Sequence, residues 1–229
     1  MRTCVSAWSR DCIFSAPATR TTADNPPYAA MAKLRLLLPV ILFYAALSVW
    51  SRIGAYDVQV WYTEMSCAVL PALILLLLQP FTRLSAPAWC VFGFWCVLQI
   101  IGAHYTFERV PFDAVTHLFG FERNHYDRLA HFVVGVNSVG VAELLRRRGW
   151  VSGRCSAAVL AVFAIMAMAN AWELVEWIYA EIDGGEAGAA FLGSQGDIWD
   201  AQKDMLMDTL GALLGAVIYL VLPSYRRAG

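Results

Sequence analysis

Charge is scarce in this chain. Only 15% of its 229 residues are Asp, Glu, Lys or Arg, and 59% are hydrophobic. That is too little charge for an ordinary soluble domain, and it points to integral membrane residence. The few charges nearly cancel, 17 basic against 18 acidic with a formal net charge of -1, so no basic surface suggests nucleic-acid binding. Cysteine is sparse and scattered, at positions 4, 12, 67, 90, 96 and 155. No CxxC pair occurs, which excludes a zinc-finger spacing and gives no hint of a disulfide framework. A phosphate loop, a serine nucleophile elbow and a dinucleotide fingerprint are all missing. Residues 1–30 are rich in Ser, Thr, Ala and Pro and lack the apolar core of a signal peptide. They read as a disordered cytoplasmic tail, with translation from Met31 as the alternative.

What the chain does have is long apolar runs. They lie at Leu34–Trp50, Met65–Pro80, Ala88–Thr106, Asp127–Leu145, Cys155–Tyr179 and from the aspartates near 197 to Leu222. The expectation is an all-α, polytopic membrane bundle of about six transmembrane helices, with residues 31–229 as one domain. Lys33, Arg35, Arg83, Arg146–Arg148, Arg154, Arg226 and Arg227 then share one side. The positive-inside rule makes that side cytoplasmic and puts both termini there. The opposite side carries loops at 51–64, 107–126 and 180–203, the first holding Arg52, Asp57 and Glu64, the last rich in Gly and Ala.

Carboxylates and imidazoles then gather at the outer rim. His104 and Glu108 end the third span, Asp127 and His131 open the fourth, and Glu173 and Glu176 end the fifth. Aspartates at 197, 200, 204 and 208 fall on one face of the sixth span. So many acids in a charge-poor membrane chain need partners. One reading is an outward-facing pocket around a divalent metal ion, with Asp127, His131, Glu173, Glu176 and Asp200 or Asp204 as ligands. In it His104, Glu108, Asp127 and His131 are the candidate catalytic groups, with His125 as an alternative proton carrier. Arg109, Arg123, Arg128, Gln195, Asp197 and Gln202 would contact substrate. The competing reading pairs Arg109, Arg123, Arg128 and Lys203 with the acids, giving a satisfied network that only fixes helix packing. Gly211 and Gly215 form GxxxG, a close-packing signal. Trp172, Trp177 and Trp199 read as interfacial anchors, and His117 and His125 as loop residues.

Several blocks carry a family resemblance: Gly102-Ala-His104-Tyr105-Thr106, Asn124-His125-Tyr126-Asp127-Arg128-Leu-Ala-His131-Phe132, Trp172-Glu173-Leu-Val-Glu176-Trp177, and the run from Gly193 to Met205 with its GxQGDxWDxQxD core. From about residue 34 onward the chain resembles the YjdF-like inner-membrane proteins, a domain of unknown function (DUF2238). The family pattern has tyrosine at Trp172 and threonine at Ser194; neither change removes a charge. The resemblance implies a multi-pass protein of the bacterial inner membrane and assigns no chemistry. A looser likeness to VanZ-like membrane proteins rests on Asp127 with His131, on Glu173 or Glu176, and on Asp208 with Gly211 and Gly215.

The leading functional expectation is an outward-facing, metal-dependent enzyme or binding protein for a phospholipid or lipid-linked head group, with the bilayer as partner. A transporter using Asp204 and Asp208 as an ion path, and a structural membrane subunit, are the alternatives. The motifs do not decide whether the protein is an enzyme.

Overall fold

The computed structural model describes residues 26–183, 185–222 and 225, all helix, turn or loop with no strand among them. In chain order the helices are α1 (Pro26–Arg52), α2 (Val58–Leu77), α3 (Gln79–Thr82), α4 (Ala86–Tyr105), α5 (Asp113–Phe119), α6 (Tyr126–Val136), α7 (Ser138–Arg147), α8 (Arg154–Asp183), α9 (Gly185–Leu192) and α10 (Asp200–Val221). The chain divides into two compact units, Met1–Phe43 and Tyr44–Gly229, and the bundle is the second. The tail expected over residues 1–30 lies, through residue 25, outside the described residues.

Among the described residues five helices are long and apolar enough to cross a membrane: α2, α4, α6 continued by α7, α8 and α10. Leu38–Arg52, overlapping the first expected span, is a shorter apolar helix. The protein is thus an all-α polytopic membrane bundle. Its outer faces carry exposed Leu73, Ile74 and Leu77 on α2 and Phe163 on α8, side chains that belong against lipid.

Several boundaries differ from the expectation. Asp57 accepts hydrogen bonds from the Gln59 and Val60 amides and so caps α2. That start places Glu64 inside the helix and only 4% exposed, not in the outer loop. The Gly/Ala-rich loop contains α9, and the loop after α4 contains α5. The last helix begins at Asp200, so Asp197 precedes it and accepts a bond from the Trp199 amide. The fourth span is broken at Asn137, whose side-chain amide donates to the Val134 carbonyl at 3.0 Å.

The deepest contact is between α6–α7 and α10. A Cβ on Gly211 would overlap the carbonyl oxygen of Phe132, and one on Gly135 would overlap that of Asp208. At Gly215 it would meet Ser138 Oγ, which donates to the Ala212 carbonyl at 2.7 Å. The GxxxG signal is therefore a backbone-to-backbone contact, as small-residue motifs provide in membranes.

The two ends of the bundle have different chemistry. At one, Glu143 accepts bonds from the Ser85 amide (3.0 Å) and hydroxyl (2.7 Å) and pairs with Arg147 at 2.7 Å. Ser85 also meets the Tyr225 hydroxyl at 3.0 Å. Arg154 donates to the carbonyls of Tyr219 and Leu220, satisfying the last turn of α10. This is the arginine-rich end. The acidic stripe lies at the other.

Substituting Gly211 or Gly135 by leucine should lower thermal stability in detergent by about 1–3 kcal/mol or more, because backbone must move. Gly140→Ala, whose Cβ would meet Ala88 at an ordinary 3.5 Å, should unfold like the wild type.

Candidate metal centre

The aspartates of α10 meet α6 across the glycine contact. His131 Nδ1 lies 2.9 Å from Asp208 Oδ2, and Nε2 lies 3.6 Å from Asp127 Oδ1 one turn earlier on its own helix. Asp204 sits one turn above Asp208. One donor atom from each of Asp127, His131 and Asp204 falls within 4.8 Å of the others, a spacing that can hold a metal ion. His131 is 8% exposed, Asp204 4% and Asp208 2%. The hydrogen bond to Asp208 fixes the ring and leaves Nε2 toward Asp127, the second-shell arrangement common behind metal-bound histidines. Asp204 Oδ1 is buried and has no hydrogen-bond partner; the nearest cation is Arg128 Nε at 3.8 Å.

Above this group the acids are satisfied by arginine. Arg128 Nη2 binds Asp197 at 2.7 Å and Asp200 at 3.1 Å. Arg123 pairs with Asp200 and donates to the carbonyls of Ser194 and Gly193. Lys203 reaches Asp197 at 2.6 Å. Asn124 and Gln195 exchange hydrogen bonds at 3.0 Å each, and Gln195 adopts φ +48° to do so. Asn124 also donates to the Glu108 and Val110 carbonyls and accepts from the Tyr126 amide, tying three loops together. The Lys203 ammonium, then the Trp199 amide and Arg128, hold the Asp197 carboxyl well below the usual carboxylate range. Burial, then the positive charges of Arg128 and Arg123, lower the pKa of His125.

This overturns the outward-facing pocket and, with it, the head-group function attached to that pocket. In the His/Asp group His131 and Asp204 are buried and Asp127 is half-buried. The physical reason is length: Arg123 and Arg128 reach across to the first turn of α10, and their pairing latches the rim over the cluster.

The other candidates separate. His104 Nδ1 contacts the Ser51 carbonyl at 2.8 Å and its ring packs on Trp50, with centroids 4.6 Å apart. Glu108 pairs with Arg109 at 3.1 Å, and Arg109 also stacks over Tyr56. Gln202 is exposed. Glu173 and Glu176 fall outside the three-ligand group; Glu173 Oε1 is buried without a hydrogen-bond partner. Sequence reasoning passed over Glu64 and Gln99, a buried pair joined at 2.8 Å. An acid within an apolar run beginning at Val58 was the available signal. A cavity of about 390 Å³ lies beside the cluster, with Glu64, Asp127, His131, Glu176 and Asp208 at its polar wall.

The family described as "Predicted membrane protein (DUF2238)" matches residues 36–224. The chain belongs to this family. It is also 34% identical over 193 residues to the inner membrane protein YjdF of Escherichia coli (strain K12), covering 81% of this chain and 91% of that protein. No solved structure matches. Every residue of the cluster and the latch lies inside the matched span.

Asp197 contributes its stability while ionised. Its folded pKa is lowered, so that contribution is complete above the unfolded value and is lost as pH falls below about 4. Asp197→Asn should therefore melt below wild type at pH 7, with the gap closing as the pH is taken below about 4, read by thermal unfolding in detergent.

Proposed function

We propose that the chain is a metal-binding protein of the bacterial inner membrane that holds a divalent ion within the bundle, between Asp127, His131 and Asp204. The observation that carries this reading is the buried Asp208–His131 pair, which orients an imidazole toward two further carboxylates. Asp204 Oδ1 supports it: the oxygen is buried, accepts no hydrogen bond and has only the Arg128 guanidinium at 3.8 Å for a counter-charge, so a closer cation would satisfy it. One imidazole and two carboxylates suit a first-row transition metal better than calcium or magnesium. Three protein ligands leave coordination positions free, the pattern of reactive rather than purely structural sites. Such an ion would supply a Lewis acid. Asp208 would hold the ligand ring, while Arg128 and Arg123 would keep Asp197 and Asp200 occupied and bulk water away.

The family relative supports inner-membrane residence. The arginine-rich end, where Arg147 and Arg154 gather beside Ser85 and the end of α10, supports a cytoplasmic location for the C-terminal end of α10.

Elemental analysis of protein purified without chelators should find roughly one transition-metal ion per chain. His131→Ala and Asp204→Asn should lose it, and Gln202→Ala should keep it. Wild-type protein that carries no ion, and takes up none from added zinc or manganese, would sink the proposal. In a cysteine-free background, Ser152→Cys should be labelled only from the cytoplasmic side; labelling from outside would reverse the assigned orientation.

A further inference from the structure

The cavity beside the cluster has a chemistry of its own. Its volume of about 390 Å³ is in the range of small-molecule sites. Most of the wall is apolar, including Leu70, Pro71, Val134 and Met168. Leu70 and Met168 are 58% and 49% exposed, so the cavity reaches the lipid-facing surface beside α2 and α8. The polar wall is one-sided. Carboxyl groups come from Glu64, Asp127, Glu176 and Asp208; the one basic side chain in the lining, His131, is held by Asp208 at 2.9 Å, and no lysine or arginine lines the space. Arg128, the cation nearest the cluster, is bound to Asp197 and Asp200 on the rim. Aromatic faces of Trp95, Trp172 and Phe107 complete the lining.

Each feature selects against an anion. A phosphate or carboxylate would enter a space of hydrogen-bond-accepting acids whose one basic neighbour, His131, is already bound to Asp208. A cation meets the reverse: acceptor oxygens, aromatic faces that attract positive charge, and acids for which the described residues provide too few bases. Glu173 Oε1, one turn before Glu176 on α8, is a buried example of that shortfall. The apolar remainder of the wall and its opening at the lipid-facing surface suit a hydrocarbon tail.

We propose that this cavity binds a cationic amphiphile, an aliphatic amine with one apolar tail, entering from the bilayer beside α2 and α8 and placing its ammonium group between Glu64 and Glu176. The proposal goes beyond the metal reading and does not depend on it, because Glu64 and Glu176 are not among the three metal ligands.

Trp95 and Trp172 provide the readout. Chelator-treated full-length protein in nanodiscs would be titrated with dodecylamine brominated on its tail, and tryptophan quenching followed. The expected result is a saturable quenching component that unbrominated dodecylamine displaces and dodecanoate does not. Glu176→Gln should weaken that component by about tenfold or more, the loss of one charge-assisted contact. Ala169→Phe, which fills the cavity, should abolish it. Ser66→Phe at the exposed mouth provides a second block should the interior variant fail to fold. Quenching that rises linearly without saturation, equal displacement by dodecanoate, or wild-type affinity in Glu176→Gln and Ser66→Phe would each overturn the proposal. Because the protein is metal-free in this measurement, a failed metal analysis leaves its outcome unaffected.

Discussion

The distance between α6 and α10 governs the rest of the molecule. Gly135 and Gly211 let the two backbones touch, each helix presenting a carbonyl where the other has no Cβ. Only at that separation does His131 reach Asp208 at 2.9 Å. The same approach brings Asp204 within range of Asp127 and sets Arg128 against Asp197 and Asp200. In a bilayer, apolar side chains gain little by leaving lipid for protein, so close packing and buried polar pairs must hold helices together. Here the packing motif and the polar pairs occupy the same interface, and each makes the other possible.

The charges along that interface are sorted by depth. Those nearest the aqueous rim are matched acid to base: Asp197 with Lys203 and Arg128, Asp200 with Arg123 and Arg128. One and two turns deeper, Asp204 and Asp208 have a single imidazole between them and a more distant guanidinium. An arginine at the rim can satisfy a carboxylate while keeping contact with water, which makes pairing there inexpensive. An unmatched carboxylate in the interior is costly and is retained in proteins mainly where it binds something.

Much of this was legible in the sequence. Apolar run length identified the membrane class, since few soluble folds use runs of that length. The three- and four-residue spacing of Asp197, Asp200, Asp204 and Asp208 identified a helical stripe, and Gly211 with Gly215 identified the contact face. Asp127 and His131, four apart on α6, emerged together as ligand candidates for the same reason. What periodicity cannot convey is which partner a long side chain selects. Arg123 and Arg128 were legible as substrate contacts or as internal counter-ions, and only the fold shows them crossing to α10 and closing the rim. Glu64 was hidden because a charge near a span boundary looks like a loop residue; the Asp57 cap moved that boundary outward by more than a helical turn. Asn137 interrupts the fourth span without any proline or glycine signal at that position.

The ties at the two ends of α10 bear on how the chain is made. Asp197, Asp200, Asp204 and Asp208, the partners of Arg123, Arg128 and His131, lie at or within the last described span. The carbonyls that Arg154 caps also belong to α10. Until that helix arrives from the ribosome, Arg128 and His131 in the fourth span and Arg123 just before it lack the α10-side acids that pair with them, and Arg154 lacks the carbonyls it caps. The earlier helices therefore cannot settle into their final arrangement as they emerge. A chain stopped before α10 would keep Arg128 and His131 within its fourth span without those acids.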